Sequence, residues 1–461
     1  MQKNKTKDML VVGFALFAIF FGAGNLIFPS YLGAMSGNGW GISALGFLIT
    51  DPVFPIIGVV ATAMVGGMAD DLGKRISRKF SVLIGTVSIL TIGPFFAVPR
   101  TASTTHEIFT VQVFGNGDKD SISPWITSVV FFAVTLILVI NPSKFIDIIG
   151  KFLTPVLILI IVVAIVMAIF KPAGNVVDTT SLLSKLNVDN LFKKGFSDGY
   201  QTMDALGSAL MSGIVVTDLI NKGYKEEKER FKMTCGVGIV AAILLAIVYG
   251  GLTYVGATVS DQFSSQVIAD NKVAILVGIF GKMFGSVGKY AIGLAVTLAC
   301  LTTSIGLVGT AGNFFTRVFH KEDDKNFYRI IVCICTGIAF FLSLFGVQKL
   351  ILFAAPILLA IYPIYMVLFI ITLFDKWVKY NWAYGGAVIV VALISIPSGI
   401  TAAFGLQKMP PPEFLGNYMG FLSKLPLNDY GFNWLLPAIC GFVIATIISA
   451  VGKVGKTRGD V

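Results

Sequence analysis

Apolar residues in this chain come in long runs rather than in the alternation expected of a soluble helix or strand. The runs lie near 9–34, 41–66, 81–112, 125–141, 152–170, 196–220, 233–259, 286–318, 328–346, 349–373, 382–404 and 434–451. Each can cross ~30 Å of hydrocarbon. The pattern therefore predicts an all-α integral membrane protein with about twelve transmembrane helices. The first run is longer than the apolar stretch of a signal peptide and lacks a small-residue cleavage site, so it reads as a retained span.

Two runs are interrupted. "FFGAGNLIFP" (20–29) sets Gly22, Gly24, Asn25 and Pro29 inside the first. "GYQTMDALGSALMSGIVV" (199–216) sets Gly207 and Gly213 around Ser208 and Ser212 in the sixth. The interrupted spans stand five apart, an odd number, so a five-span repeat inserts upside down the second time. That predicts one transport domain over 1–461: a first inverted repeat in 1–170, a second in 196–373, and two extra helices in 382–451. Irregular backbone at membrane depth is tolerated where protein encloses a cavity. A half-helix starting near Gly24 offers free N–H groups and a positive dipole to an anion, and the carbonyls around Ala18–Phe21 face a cation. Such glycines also serve as plain packing contacts between helices. One interruption does not separate the two readings, whereas a matched pair points to a site.

Charge orients the chain. Lys3, Lys5 and Lys7 precede the first span. Alternation puts "GKRISRK" (73–79), "NKGYKEEKERFK" (221–232), the 317–329 loop and the tail after Val451 on the same side. That side holds 23 of the 35 Lys and Arg, which predicts both termini in the cytoplasm. The net charge of +10 is then a membrane signal, with no aromatic-interleaved basic patch for nucleic acid. Trp40, Trp125, Trp377, Trp382 and Trp434 sit at or near span ends, as an interfacial belt requires. The five Cys lie within spans, and His106 and His320 are isolated, so neither a disulfide framework nor a transition-metal or haem site is expected. Without a Walker-type loop, no cofactor is implied and energy must come from a gradient.

Several motifs carry a family likeness over nearly the whole chain. "FGAGNLIFPSYLG" (21–33), "GPFFAVPRTASTTHE" (93–107), "GYQTMDALGS" (199–208), "PILLAIYP" (356–363) and "LPLNDYGFNWLLP" (425–437) resemble the bacterial branched-chain amino acid:cation symporters, of the wider amino acid–polyamine–organocation group. The resemblance implies a leucine-transporter-like fold in the bacterial cytoplasmic membrane. It also implies uptake of leucine, isoleucine and valine driven by Na⁺ or, in some members, H⁺. "ACLTTSIGL" (299–307) is similar to the stretch that helps hold sodium in that fold, which implies hydroxyls from Thr302 and Thr303 with carbonyls of Ala18, Phe21 and Ala299. Sodium, a hard cation, suits such neutral oxygens; equally, a Thr within a span often bonds a carbonyl on its own helix.

The substrate carboxylate is expected on the amides of Gly22, Ala23, Gly24 and Asn25. Its ammonium is expected on carbonyls near Phe20 and around Leu206, Gly207, Ser208 and Ala209. Met203, Leu206, Leu210 and Ile305 are candidates for the apolar pocket. Such a pocket separates homologous side chains by only ~1–3 kcal/mol per methylene. The sequence departs from the family pattern at Met211-Ser212-Gly213, where Phe-Gly is usual, and at Asp51 in the second span.

Charges at membrane depth are costly and mark candidate sites. Asp51, before Pro52, reads as a structural or accessory charge. Arg100 pairs either with Asp204, as a gate over the substrate, or with Glu107, seven residues on and on the same helical face. Proton coupling through Asp51, Asp204 or Glu107 is the alternative to sodium. An enzyme would need converging His, Cys, Asp or Glu, and a channel a repeated filter; neither pattern is present.

Overall fold

A computed structural model describes residues 4–68, 71–115, 118, 121–140, 158–180, 186 and 188–452. The start of the fifth apolar run (152–157), Lys3 and the basic tail after 452 lie outside the described residues. The described parts of the apolar runs are helical apart from breaks and a few end residues. Among the described residues eight helices are long and apolar enough to cross a membrane, nine with the bent pair Leu191–Thr202 and Asp204–Asn221, and Pro124–Ile140 and Ile158–Phe170 are shorter apolar helices. The first run is split into Lys5–Phe20 and Ala23–Ser36, and Ala23–Met64 counts as one continuous 42-residue stretch, so span number by helix length falls below the number of apolar runs.

The two breaks have different origins. In the first, Phe21 closes the helix by donating its N–H to the Phe17 carbonyl, and Gly22 is fully extended (φ −114°, ψ −176°) before Ala23 starts the next. In the sixth span, a correction is needed: Gly207 and Gly213 lie inside the continuous helix Asp204–Asn221, and the turn is made by Met203 in the left-handed region (φ 66°, ψ 11°). The axis bends there by 46°. Gly213 serves packing instead, since a Cβ on it would stand 3.1 Å from the Gly67 carbonyl.

Close helix crossings hold the bundle together, made possible by glycines without a Cβ. A methyl on Gly33 would lie 1.8 Å from the Thr253 carbonyl, and one on Gly256 2.1 Å from the Ser30 carbonyl, which brings Ala23–Ser36 onto Glu227–Ala257. Gly46 and Gly195 do the same between Trp40–Leu48 and Leu191–Gly199. The last long helices, Val347–Leu373, Trp382–Leu406 and Leu435–Gly452, pack in sequence, and a short helix, Glu413–Leu422, follows the triple proline. Trp125, Trp377 and Trp382 are exposed as a belt requires, but Trp434 is buried, its ring 5.9 Å from Phe432.

Candidate functional site

The two breaks meet around a cavity of about 60 Å³. Phe20, Gly22, Ala23, Gly24 and Asn25 line it from the first break, with Thr202, Met203, Asp204 and Gly207 from the second. Ala97, Arg100, Thr101 and Thr104 close it from the third span, and Thr303 and Leu307 from the helix Lys272–Val318. Ile19, Ile92 and Met211 add apolar surface. No side chain caps Gly22, so the first amides of Ala23–Ser36 point their dipole at this space.

Asn25 ties the breaks together. Its amide nitrogen lies 2.9 Å from Asp51 Oδ2, 2.7 Å from Asp204 Oδ2 and 2.6 Å from Tyr249 Oη, all buried. Asp51 reaches this point because Pro52 disfavours helical backbone in the residue before it. Asp51 is extended (φ −151°, ψ 111°) within a π-helical turn, Ile49–Val53. Such turns concentrate at functional sites, and two more, Thr91–Phe95 and His106–Thr110, flank the Arg100 helix. Pro94 in "GPFF" was a visible cue for the first of these; Tyr249, one tyrosine in an apolar run, carried none.

The candidates are only partly brought together. Leu206, Ser208, Ala209, Leu210 and Ile305 do not line the cavity. The Leu206 carbonyl accepts from Ser88 Oγ (2.6 Å), Ser208 Oγ donates to the Ala205 carbonyl (2.6 Å), Ala209 and Ile305 are packed in the interior, and Leu210 faces a second cavity. Of the sodium candidates, Thr303 faces the first break, its hydroxyl 3.8 Å from where a Cβ on Gly22 would be. Thr302 Oγ donates to the Ala299 carbonyl (2.9 Å), so two of the five expected ligands are bonded to each other. Ala18 and Phe21 end the first half-helix beside Ile19 and Phe20, which reach the cavity.

Arg100 is hydrogen-bonded to neither Asp204 nor Glu107, although it lines the same cavity as Asp204 and their opposite charges attract. Its Nη1 donates to the Gln201 carbonyl (2.6 Å) at the second break and the guanidinium lies 5.6 Å above the Phe28 ring. Glu107 accepts from the Val347 N–H (3.2 Å). A charged group that the sequence did not single out sits beyond: Lys194 and Lys272 flank buried Asp198 (2.6 and 3.7 Å), with Lys272 4.2 Å above the Tyr31 ring. Tyr31 and Phe28 lie on the half-helix that follows the first break, so this cluster sits beyond the break from the N-terminus, and Arg100 lines the cavity between them. On the N-terminal face a second cavity of about 640 Å³ opens, lined by Val12, Leu16, Gly213, Asp218, Asn313 and Arg317, and Ile19 borders both.

A family model described as branched-chain amino acid transport protein matches residues 5–451. The chain is 37% identical over 445 residues to the branched-chain amino acid permease BraB of Bacillus subtilis, covering 96% of each. It is 34% identical over 450 residues to the permease BrnQ of the same organism, covering 97% of this chain and 98% of that one. Among solved structures it is similar to Mhp1, a nucleobase-cation-symport-1 family transporter, with a TM-score of 0.57 at 13% identity over 96% of this chain and 92% of that one. MhsT, solved in complex with L-phenylalanine, gives a TM-score of 0.53 at 13% identity over 95% and 97%. The fold is thus all-α and leucine-transporter-like, in a multi-pass membrane protein that is a transporter and not an enzyme, and the chain belongs to the branched-chain amino acid transport protein family.

Proposed function

We propose that the protein imports leucine, isoleucine and valine across the bacterial cytoplasmic membrane in symport with Na⁺, with both termini in the cytoplasm. The observation that carries this is the single cavity where the two helix breaks meet, lined by uncapped amides, by Thr303 and by apolar side chains. The substrate carboxylate meets the amides of Ala23, Gly24 and Asn25. Its ammonium meets the carbonyl end at Phe20 and the Asp204 carboxylate. The branched side chain lies against Ile19, Ile92, Met203, Met211 and Leu307. Sodium sits between the end of the first half-helix and Thr303. With the N-terminus inside, the larger cavity is the release path and Arg100, Asp198 and Lys272 close the outer side. Substrate and ion shift this balance only through their difference in affinity for the inward-open and outward-open states.

Proton coupling is the second reading, and the meeting of Asp51 and Asp204 on Asn25 favours it. Radiolabelled leucine uptake into proteoliposomes decides between them. Uptake that requires a Na⁺ gradient and is competed by isoleucine and valine supports the first reading. Uptake driven by a pH gradient in choline supports the second, and concentrative uptake under neither overturns the substrate assignment.

A further inference from the structure

Behind the cavity wall the structure holds an unbalanced set of hydrogens. An amide nitrogen carries two hydrogens, yet Asn25 Nδ2 has three oxygens within 2.9 Å: Asp51 Oδ2, Asp204 Oδ2 and Tyr249 Oη. Turning the amide over, which heavy-atom positions alone do not forbid, puts its oxygen against two carboxylates and needs a hydrogen on each, so the orientation seen here is the one compatible with a single proton. In either orientation Asp51 Oδ1 is buried without a hydrogen-bond partner, the Thr202 hydroxyl nearby donating to the Gly199 carbonyl (2.8 Å).

Charge leads the same way. Two carboxylates crowded on one donor in a buried site do not both ionise without a cation between them. Arg100 lines the same cavity but directs Nη1 at the Gln201 carbonyl. Among the described residues no group of three or more acidic, His or Cys side chains gathers here, and a sodium ion would need about five or six oxygens where the Asn25 nitrogen instead bridges the two carboxylates. A proton needs no added space. The titratable groups facing the pair are Tyr249 from the helix Glu227–Ala257, Arg100 from the third span, and Tyr200 and Tyr362, whose rings stack at 4.5 Å.

We propose that Asp51 and Asp204 share one exchangeable proton, and that the ammonium of an arriving amino acid displaces it. Asp204 lines the cavity and Asp51 does not, so a cation entering the cavity meets Asp204 first and favours the ionised pair. By reciprocity, protonation weakens amino acid binding by the factor with which binding expels the proton. The displacement rests on the amino acid reading above with Na⁺ as the coupling ion, and is the opposite of proton symport through the same pair; the shared proton rests on neither.

The test has two arms on the full-length purified protein. Leucine binding is followed by titration calorimetry in two buffers of different ionisation enthalpy, which counts protons. Wild type is expected to release up to about one proton near neutral pH, and Asp51→Asn none. Binding by wild type without proton release, or with uptake, overturns the displacement. Infrared difference spectra, wild type minus Asp51→Asn and wild type minus Asp204→Asn, are recorded without substrate. A protonated-carboxyl band lost in each variant supports the shared proton, and its absence from wild type overturns it. Where one variant fails to fold, the other supplies the difference. If wild type binds no leucine, the amino acid reading fails and the infrared arm still decides the proton.

Discussion

The two helix breaks do the same work with opposite backbone chemistry. At the first, a glycine adopts an extended conformation that any residue can adopt. At the second, Met203, a bulky residue, holds the left-handed conformation in which glycine is the natural choice. The glycine motif marked the right place in the first span and the wrong one in the sixth. A glycine in a membrane span reports that space or conformation is needed, and here it is mostly space: Gly33, Gly46, Gly195 and Gly256 each stand where a methyl would strike backbone. Met203 is held by what surrounds it, since strained residues persist where their neighbours over-determine them.

The largest effect should come from cutting the one side chain that joins the breaks. Asn25→Ala removes amide contacts to Asp51 and Asp204 and leaves both carboxyls facing each other. Hydrogen bonds to charged groups contribute ~1.5–3 kcal/mol each. Leucine uptake by proteoliposomes should fall by about two orders of magnitude, at 1.4 kcal/mol per tenfold. A variant that folds and keeps uptake within about threefold would show that the breaks work independently.

A smaller effect separates the adjacent threonines. Thr303→Ala removes a hydroxyl facing the first break, and Thr302→Ala one already given to the Ala299 carbonyl. The Na⁺ concentration for half-maximal uptake should rise by about fivefold to tenfold in Thr303→Ala and change little in Thr302→Ala. Equal shifts in the two variants would put the ion elsewhere.

How far the sequence reaches follows from the same contrast. Long apolar runs, basic loops and the first break are local properties, readable because each depends on one stretch of chain. The site is not local. Asp51 looked accessory because it lies off both interrupted spans, and only the turn forced by Pro52 carries it to Asn25. Tyr249 has no motif and becomes visible when Gly33 and Gly256 let two helices approach. Leu206 and Ser208 were chosen from a break assumed to lie at glycine, and a shift of a few residues to Met203 turns them into the packed helix.

At Met203 the usual ranking of small residues should invert. Met203→Ala and Met203→Gly lose the same buried side chain, but alanine keeps the left-handed cost of ~1–2 kcal/mol and glycine does not. In detergent the glycine variant should therefore melt about one to two degrees above the alanine variant, the reverse of the order inside an ordinary helix. If alanine melts higher, the break must relax out of the left-handed conformation when the side chain is trimmed.

The smallest effect is expected where the motif is most conspicuous. Gly22 has a negative φ, and a Cβ built on it meets nothing nearer than Asn25 Oδ1 at 3.6 Å and Thr303 Oγ1 at 3.8 Å, which are ordinary contacts. Gly22→Ala should fold with a melting temperature close to that of wild type. Its methyl enters the cavity, so any change should fall on substrate affinity rather than on stability. Gly33→Ala is the counterpart, since its methyl would overlap the Thr253 carbonyl at 1.8 Å and folded protein should be lost. If Gly22→Ala unfolds the protein, the first break needs glycine for a conformation other than the extended one seen here. If it folds and transports, the break is set by the ends of two half-helices and by what Asn25 holds between them, and the glycine keeps room for the ligand.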